Sequence, residues 1–197
     1  MPVCARDVGT YVGFMAVLIA FVVLARYQNG KLPDKVIITV AAVGLAFYAF
    51  DAFSSYLGFR STTNDIRLIS GLAFGSGISM LLFSAVSNLL YGKRTDHSRR
   101  TFTYRDLPLV YLLIALLSVP LLIDSGIFFY YLESTIVIAS LLFMVFLIML
   151  ILVVNLTGWS FEKDKGMFPS IATACVLEAA ILIVLWSAHH FGSVTLL

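Results

Sequence analysis

The feature that most constrains this chain is a series of long apolar stretches, with almost all of the charged residues lying between them. Hydrophobic residues make up 60% of the 197 residues and charged residues 12%, whereas a soluble domain carries about 25% charged residues. A helix of about 20 apolar residues can cross the hydrocarbon core of a bilayer. The pattern therefore predicts an all-α integral membrane protein whose first partner is the lipid bilayer.

The apolar segments predict six transmembrane helices in one bundle, which forms a single domain over residues 1–197. Only Asp124-Ser125-Gly126, a natural turn, separates the fourth segment from the fifth. Read as one helix, residues 107–156 would be too long for a single crossing, so six spans fit better than five. The predicted spans are residues 8–26, 36–57, 63–91, 107–123, 127–156 and 168–190.

Basic residues are unevenly distributed between the two ends of this predicted bundle. Ten of the 13 fall at one end, which is predicted to be cytoplasmic with both termini outside, because loops rich in Lys and Arg stay in the cytoplasm. The loop 92–106 then anchors the topology and contacts anionic lipid. No basic tract is long enough to predict nucleic-acid binding. The ten residues are Arg26, Lys31, Lys35, Lys93, Arg94, Arg99, Arg100, Arg105, Lys163 and Lys165.

Charged and polar residues from several segments meet at the opposite, predicted outer end. Asp7 opens the first span, and Asp51 lies inside the second, near its outer end. The link into the third span adds Arg60, Asn64 and Arg67. A charge inside a bilayer costs at least about 2.5–3.5 kcal/mol, so these groups need partners. We expect Arg60, Asn64 and Arg67 to bind an anionic, phosphate-like ligand or lipid headgroup, with the two acids positioning the bases or binding a cation.

The start of the third span has the features of a helix N-terminus. Thr62 and Asp65 have the spacing of a capping box. Asn64 and Arg67 lie three residues apart, on one helical face. A cation in the first turn opposes the helix dipole, so Arg67 requires an acidic partner or a bound anion. Two interpretations stay open: an anion site, and an Arg67–Asp51 ion pair that only joins two helices.

Small residues recur at four-residue spacing on two of the predicted spans. Gly9 and Gly13 lie on the first span, and Gly71, Gly75 and Ser79 on the third. Such faces allow helix backbones to approach closely. We predict that these residues pack the two helices together and bring the charged ends into proximity.

Three pieces of the first 90 residues form a pattern: residues 2–13 (Pro-Val-Cys-Ala-Arg-Asp-Val-Gly-Thr-Tyr-Val-Gly), Asp51, and residues 60–71 (Arg-Ser-Thr-Thr-Asn-Asp-Ile-Arg-Leu-Ile-Ser-Gly). The pattern resembles a prokaryotic membrane-protein family of unknown function. Its members carry Pro-x-Cys-x-Arg-Cys-x-Gly-Ile-Tyr-x-Gly, an Asp in the next span, and Arg-x-x-x-Asn-x-x-Arg-x-x-x-Gly. The resemblance implies a multispan α-helical protein and supplies no established activity.

The sequence departs from the family pattern at two points. The second Cys of the motif is Asp7 here, and the Cys-His-Gln segment usual in related proteins is missing upstream. A thiol-rich zinc site or a dithiol redox centre is therefore not expected. A mixed metal site is a further hypothesis, and no other cofactor is implied. Its ligands would be Cys4, Asp7, Asp51 and one of His189 or His190.

The sequence leaves the chemistry of the protein open. It contains no Gly-rich phosphate loop, Ser nucleophile elbow or His-Glu-x-x-His helix, so no catalytic residue is assigned. Two alternatives to a binding protein remain. One is a small-solute or ion/proton transporter using Asp51 and Glu178, although no internal repeat supports it. The other is a structural or accessory membrane subunit. Enzymatic activity and oligomeric state stay undetermined.

Overall fold

Helices make up most of the structure, a computed structural model that describes residues 4–25, 29–59, 61–91, 96–122, 126–157 and 167–194. Two short strands and a single 3-10 turn (Tyr104–Asp106) complete the described part of the chain. The helices and strands in chain order are α1 (Ala5–Val23), β1 (Asn29–Lys31), α2 (Lys35–Tyr56), α3 (Asn64–Tyr91), β2 (Asp96–Arg100), α4 (Leu107–Leu122), α5 (Gly126–Thr157) and α6 (Met167–Val194).

The six predicted apolar segments coincide with the six helices, which differ in their ability to cross a membrane. α4 has 16 residues, and the apolar part of α6, Pro169–Ile183, is also short for a full crossing. The α-helical membrane class is confirmed, and six crossings stay a prediction. Within the described residues, four helices are long and apolar enough to cross: Ala5–Val23, Lys35–Tyr56, Asn64–Leu89 and Tyr131–Thr157.

α1 begins three residues before the predicted span. The Cys4 carbonyl oxygen accepts hydrogen bonds from the N–H groups of Asp7 and Val8, at 2.9 and 3.1 Å. These bonds form the first turn of the helix, which includes residues 5–7 that the hydropathy pattern left outside the predicted span. As a result, Arg6 belongs to the first turn of α1.

α1 and α3 are packed backbone to backbone. A Cβ atom at Gly71 would collide with the Arg6 carbonyl oxygen, and one at Gly75 would collide with the Thr10 carbonyl oxygen. The glycines of α1 meet the backbone of α3 in the same way. Only glycine allows such an approach, so the predicted packing role of these four glycines is confirmed.

α2 packs against a second face of α3 through small residues. A Cβ atom at Gly77 would lie 2.7 Å from the Ala41 Cα, and one at Gly44 would lie 2.6 Å from the Ala73 carbonyl oxygen. Most of the remaining α2 surface is apolar and exposed. An apolar exposed surface is what a helix at the edge of a bundle presents to lipid.

An aromatic cluster joins α1, α3 and α5. Phe14 lies 5.3 Å from Phe83 and 6.2 Å from Phe143, measured between ring centroids. Phe21 stacks on Phe83 at 5.1 Å and contacts Phe102, which follows β2, at 5.9 Å. The cluster places α1 in the middle of the fold, in contact with α3, α4 and α5.

A short parallel β pair lies at the end of the molecule where the basic residues gather. Asn29 of β1 pairs with Asp96 of β2, and Lys31 pairs with Arg100. The Asn29 side-chain amide donates to the Arg100 carbonyl at 3.0 Å, and the Ser87 hydroxyl of α3 donates to the Asn29 carbonyl at 2.8 Å. The sequence predicted only loops here, because strands of three and five residues are too short to show alternation.

Candidate polar site at the ends of helices α1 to α3

A buried ion pair between α1 and α2 forms the centre of this site. The Asp51 side chain is 1% exposed, and the Arg6 side chain is 14% exposed. Arg6 Nε and Nη2 both donate to Asp51 Oδ2, at 3.1 and 2.7 Å. Nη2 also lies 3.4 Å from the Asp51 carbonyl oxygen. Charge-assisted hydrogen bonds in such a dry environment are strong, so this pair fixes α1 against α2.

The Arg6 guanidinium also contacts an aromatic ring of α2. The Arg6 Cζ lies 5.7 Å from the centre of the Tyr48 ring. The Tyr48 ring in turn stacks on Phe74 of α3, with 4.6 Å between centroids. A cation over an aromatic face is attracted by the ring quadrupole, so Tyr48 adds to the partners of Arg6.

One oxygen of the Asp51 carboxylate has no hydrogen-bond partner among the described residues. The Ser70 hydroxyl, 3.0 Å from the Arg67 carbonyl, lies 3.3 Å from Asp51 Oδ2, the same oxygen that Arg6 contacts. Every described donor to this carboxylate therefore converges on Oδ2, and Oδ1 is buried and unpaired among the described residues. An unpaired buried acceptor costs about 1–3 kcal/mol. Buried polar atoms in native proteins are almost always satisfied, so Oδ1 is where an additional donor would bind.

Arg67 does not pair with Asp51, as one interpretation of the sequence required. Its Nε donates to Thr62 Oγ1 at 2.8 Å, and the Thr62 hydroxyl lies 3.4 Å from Ser55 Oγ on α2. No acidic side chain pairs with Arg67 in the part of the chain that the structure describes. The Arg67–Asp51 pairing is wrong because Arg6 reaches the same carboxylate from α1.

The N-terminus of α3 is capped differently from the prediction. α3 begins at Asn64, so Thr63 precedes the first helical residue, and its Oγ1 lies 3.5 Å from the backbone nitrogen three residues on. The predicted capping box of Thr62 with Asp65 is wrong, because the Thr62 hydroxyl accepts from a guanidinium instead. Asn64 and Asp65 are both exposed in the first turn.

Asp7 lies beside the ion pair without joining it. Its side chain is half-buried in the first turn of α1, where the helix dipole favours a carboxylate. It lies within electrostatic range of the phenol groups of Tyr11 and Tyr48. Arg60, the remaining residue of the predicted site, lies outside the described residues.

The described residues do not form the predicted metal site. No three or more His, Cys, Asp or Glu side chains are grouped closely enough to hold an ion in this part of the chain. Cys4 is exposed just before α1, and Asp51 binds Arg6. His189 and His190 lie on α6, but their side chains are outside the described residues. A site that uses either histidine stays a prediction.

Sequence reasoning missed three members of the site: Arg6, Tyr48 and Ser70. A signal for Arg6 was present, because it lies three residues before Gly9 and therefore on the glycine face of α1 that packs on α3. Tyr48 lies three residues before Asp51, on the same face of α2. Ser70 gave no signal, since most serines in apolar helices bond to their own backbone.

Comparison with known proteins places the polar site in the region shared with relatives. The family model described as "Predicted membrane protein (DUF2085)" matches residues 1–81. An uncharacterized protein of Methanocaldococcus jannaschii is 26% identical over 93 residues, which cover 47% of this chain and 58% of that protein. An uncharacterized protein of Methanothermobacter thermautotrophicus is 32% identical over 81 residues, which cover 41% of this chain and 68% of that protein.

The matched region contains α1, α2 and most of α3, and with them Arg6, Asp51 and Arg67. The aligned part of the chain spans little more than half the length of the Methanocaldococcus protein. No solved structure matches the chain. The family model and the extent of the match to the Methanothermobacter protein show that the chain belongs to the DUF2085 family of predicted membrane proteins.

Proposed function

We propose that this protein binds an anionic, phosphate-like group, free or on a lipid, at the outer end of α1 to α3. The observation that carries the proposal is the environment of Arg67. It is a half-buried cation in the first turn of α3, and its one partner among the described residues is the Thr62 hydroxyl. The N-terminus of a helix disfavours an unpaired cation and favours an anion. A phosphate between the guanidinium and the first-turn N–H groups would satisfy both.

The two arginines of the described site have different roles in this proposal. Arg6 is bound to Asp51 and holds α1 and α2 together, so it contributes structure. Arg67 keeps guanidinium donors that no described residue uses, so it contributes binding. Asn64, exposed one turn before Arg67, is placed to add an amide donor.

The proposal includes six membrane crossings, with the polar site outside and the basic loops in the cytoplasm. It is supported by the six apolar helices and by the position of Lys31, Lys35 and Arg100 at the end opposite Arg6. Cys4 is exposed, and Cys175 is the second cysteine of the chain. In a Cys175→Ala variant, an impermeant maleimide should label Cys4 in intact cells. Labelling only after permeabilisation would contradict this orientation.

Phosphate titrations of purified protein in detergent test the binding site. Arg67→Gln should weaken the binding of inorganic phosphate, or of phosphatidylglycerol vesicles, by about tenfold or more, because it removes a charge-assisted contact. Arg105→Gln is the matched control, since Arg105 is an exposed base at the opposite end of the molecule. If only inorganic phosphate binds, the ligand is a free phosphate group. If only the vesicles bind, the ligand is a lipid headgroup. Equal binding by wild type and a folded Arg67→Gln variant would reject the proposal.

A further inference from the structure

The unpaired oxygen of Asp51 points to a second feature of the ligand. We propose that the phosphate-like group also carries a primary ammonium on a short linker, and that this ammonium donates to Asp51 Oδ1. The inference rests on the proposed function and names its substrate class: a phosphoethanolamine, either soluble or as the headgroup of a lipid.

The first support is the state of the Asp51 carboxylate. Oδ1 is buried without a partner among the described residues, while Oδ2 receives Arg6 Nε, Arg6 Nη2 and the Ser70 hydroxyl. A carboxylate oxygen is only an acceptor, so a donor has to come from outside the described residues. An N–H group fits this requirement, whereas a quaternary amine has no hydrogen to donate.

The second support is the spacing between the two binding groups. The Arg67 Nε donates to the Thr62 hydroxyl, and that hydroxyl lies 3.4 Å from Ser55 Oγ, so the guanidinium lies near Ser55. Ser55 follows Asp51 by four residues on α2, which is about 6 Å along the helix axis. The Ser70 hydroxyl contacts the backbone carbonyl of Arg67 and also Asp51 Oδ2, so the Asp51 carboxylate lies against the first turn of α3. Both groups therefore lie at the same end of α2 and α3, and we infer a short linker of two carbons between a phosphate on Arg67 and an amine at Asp51.

The third support is the charge around Asp51. The formal charges of Arg6, Asp7, Asp51 and Arg67 sum to zero, so a phosphate bound to Arg67 would give the site a negative surplus. The Asp7 side chain has no hydrogen bond or ion pair within the described part of the chain. A negative surplus at a partly dehydrated site favours a cationic donor over a neutral one.

The Asp51 side chain is 1% exposed, so a ligand reaches Oδ1 only when neighbouring, more exposed side chains move. Arg6 retains 14% side-chain exposure, and Asp7 and Tyr48 are half-buried. Side-chain rotamers at a binding surface commonly change when a partner binds, and such a change in these neighbours would expose Oδ1.

A ligand series on the wild-type protein tests the inference without any substitution. The probes are phosphoethanolamine, phosphocholine and inorganic phosphate, followed by vesicles containing phosphatidylethanolamine or phosphatidylcholine alone. Phosphoethanolamine, or its lipid, should bind about tenfold more tightly than the choline counterpart, which cannot donate. If ethanolamine is preferred over choline only when the compounds are presented in vesicles, the ligand is the lipid headgroup and not the soluble compound. Equal affinity for ethanolamine and choline forms overturns the inference and leaves phosphate binding intact. Failure of every probe to bind overturns both proposals.

The Asp51→Asn variant supplies a second, independent readout. Its amide oxygen can still accept from Arg6, while the amide nitrogen takes the Oδ1 position and donates. We expect this variant to lose the preference for ethanolamine and to keep its affinity for inorganic phosphate. Asp65→Asn, which removes an exposed carboxylate from the same end, should keep both. Retention of the full preference by Asp51→Asn would overturn the inference, and the wild-type series decides if the variant does not fold.

Discussion

The first three helices and the last three are held together by different kinds of contact. α1, α2 and α3 meet at glycines, with backbones in direct contact and a buried ion pair at one end. α5 and α6 meet through apolar side chains such as Leu150, Val154 and Ala174. Lipid is as apolar as these side chains, so burial alone does not drive helices together in a membrane. Shape and polar pairing therefore specify the first region, and dispersion between side chains supports the second.

The largest expected effect is at the glycine contact between α1 and α3. Gly75→Val places a side chain where the Thr10 carbonyl oxygen lies, and backbone cannot yield as a flexible side chain can. We expect a loss of about 5 kcal/mol or more, enough to abolish folding. The measurement is the yield of monodisperse protein in detergent, followed by thermal unfolding.

Ala85→Val is the matched control for this substitution. Ala85 lies on the same helix and is exposed, so the added methyl groups meet no backbone. Its stability should stay within about 0.5 kcal/mol of wild type. If both variants lose stability equally, the contrast between the two halves of the molecule is not based on close backbone contact.

The buried ion pair gives the next largest effect. Arg6→Gln leaves the Asp51 carboxylate buried without its counter-charge and should cost about 3–4 kcal/mol of unfolding free energy. Replacing both partners by apolar residues, Arg6→Met with Asp51→Leu, should recover most of that loss, since it leaves no buried charge. Denaturant titrations of Arg6→Met, Asp51→Leu and the double variant measure the coupling. Strictly additive losses would contradict a direct pair.

The sequence identified the helices and their glycine faces well, because hydropathy and four-residue spacing are local properties. It did not identify the partner of Asp51. Arg6, Arg60 and Arg67 all lie at the predicted outer end, and the choice among them depends on how each helix is rotated about its axis. That rotation results from packing of whole helices, so a local pattern does not reveal it.

The cap of α3 and the β pair were missed for a related reason. Thr62 and Thr63 are chemically equivalent candidates for the cap, and the selection depends on where the Arg67 side chain lies. The β pair joins Asn29 to Asp96, which are far apart in sequence and have no periodic signal. Long-range pairings of a few residues thus require the assembled structure.

A smaller effect is expected where α5 packs on α6. Leu150→Ala removes side-chain atoms from a buried position and should cost about 2 kcal/mol. Leu150→Met, which keeps the volume, should cost less than about 1.5 kcal/mol. Thermal unfolding of both variants, measured together with Gly75→Val, compares the loss of stability at the α5–α6 contact with the loss at the α1–α3 contact. A Leu150→Ala loss as large as that of Gly75→Val would remove the distinction between them.

The smallest effect is expected at the ion pair between Arg100 and Asp34, beside the β strands. The Arg100 side chain is 40% exposed and that of Asp34 is 20% exposed, so water and salt screen this pair far more than the buried one. Arg100→Gln should cost about 0.5 kcal/mol at low ionic strength and nothing measurable at about 1 M salt. Asp34→Ala should cost about 1.5 kcal/mol at low ionic strength and keep about 1 kcal/mol of that loss at about 1 M salt, because Asp34 Oδ1 also caps α2 by accepting from the Lys35 N–H at 2.8 Å. Unfolding titrations at both salt concentrations separate the two roles. A salt-independent loss in Arg100→Gln would mean that this pair behaves like Arg6–Asp51, and that solvent exposure is not what distinguishes the two ends of the molecule.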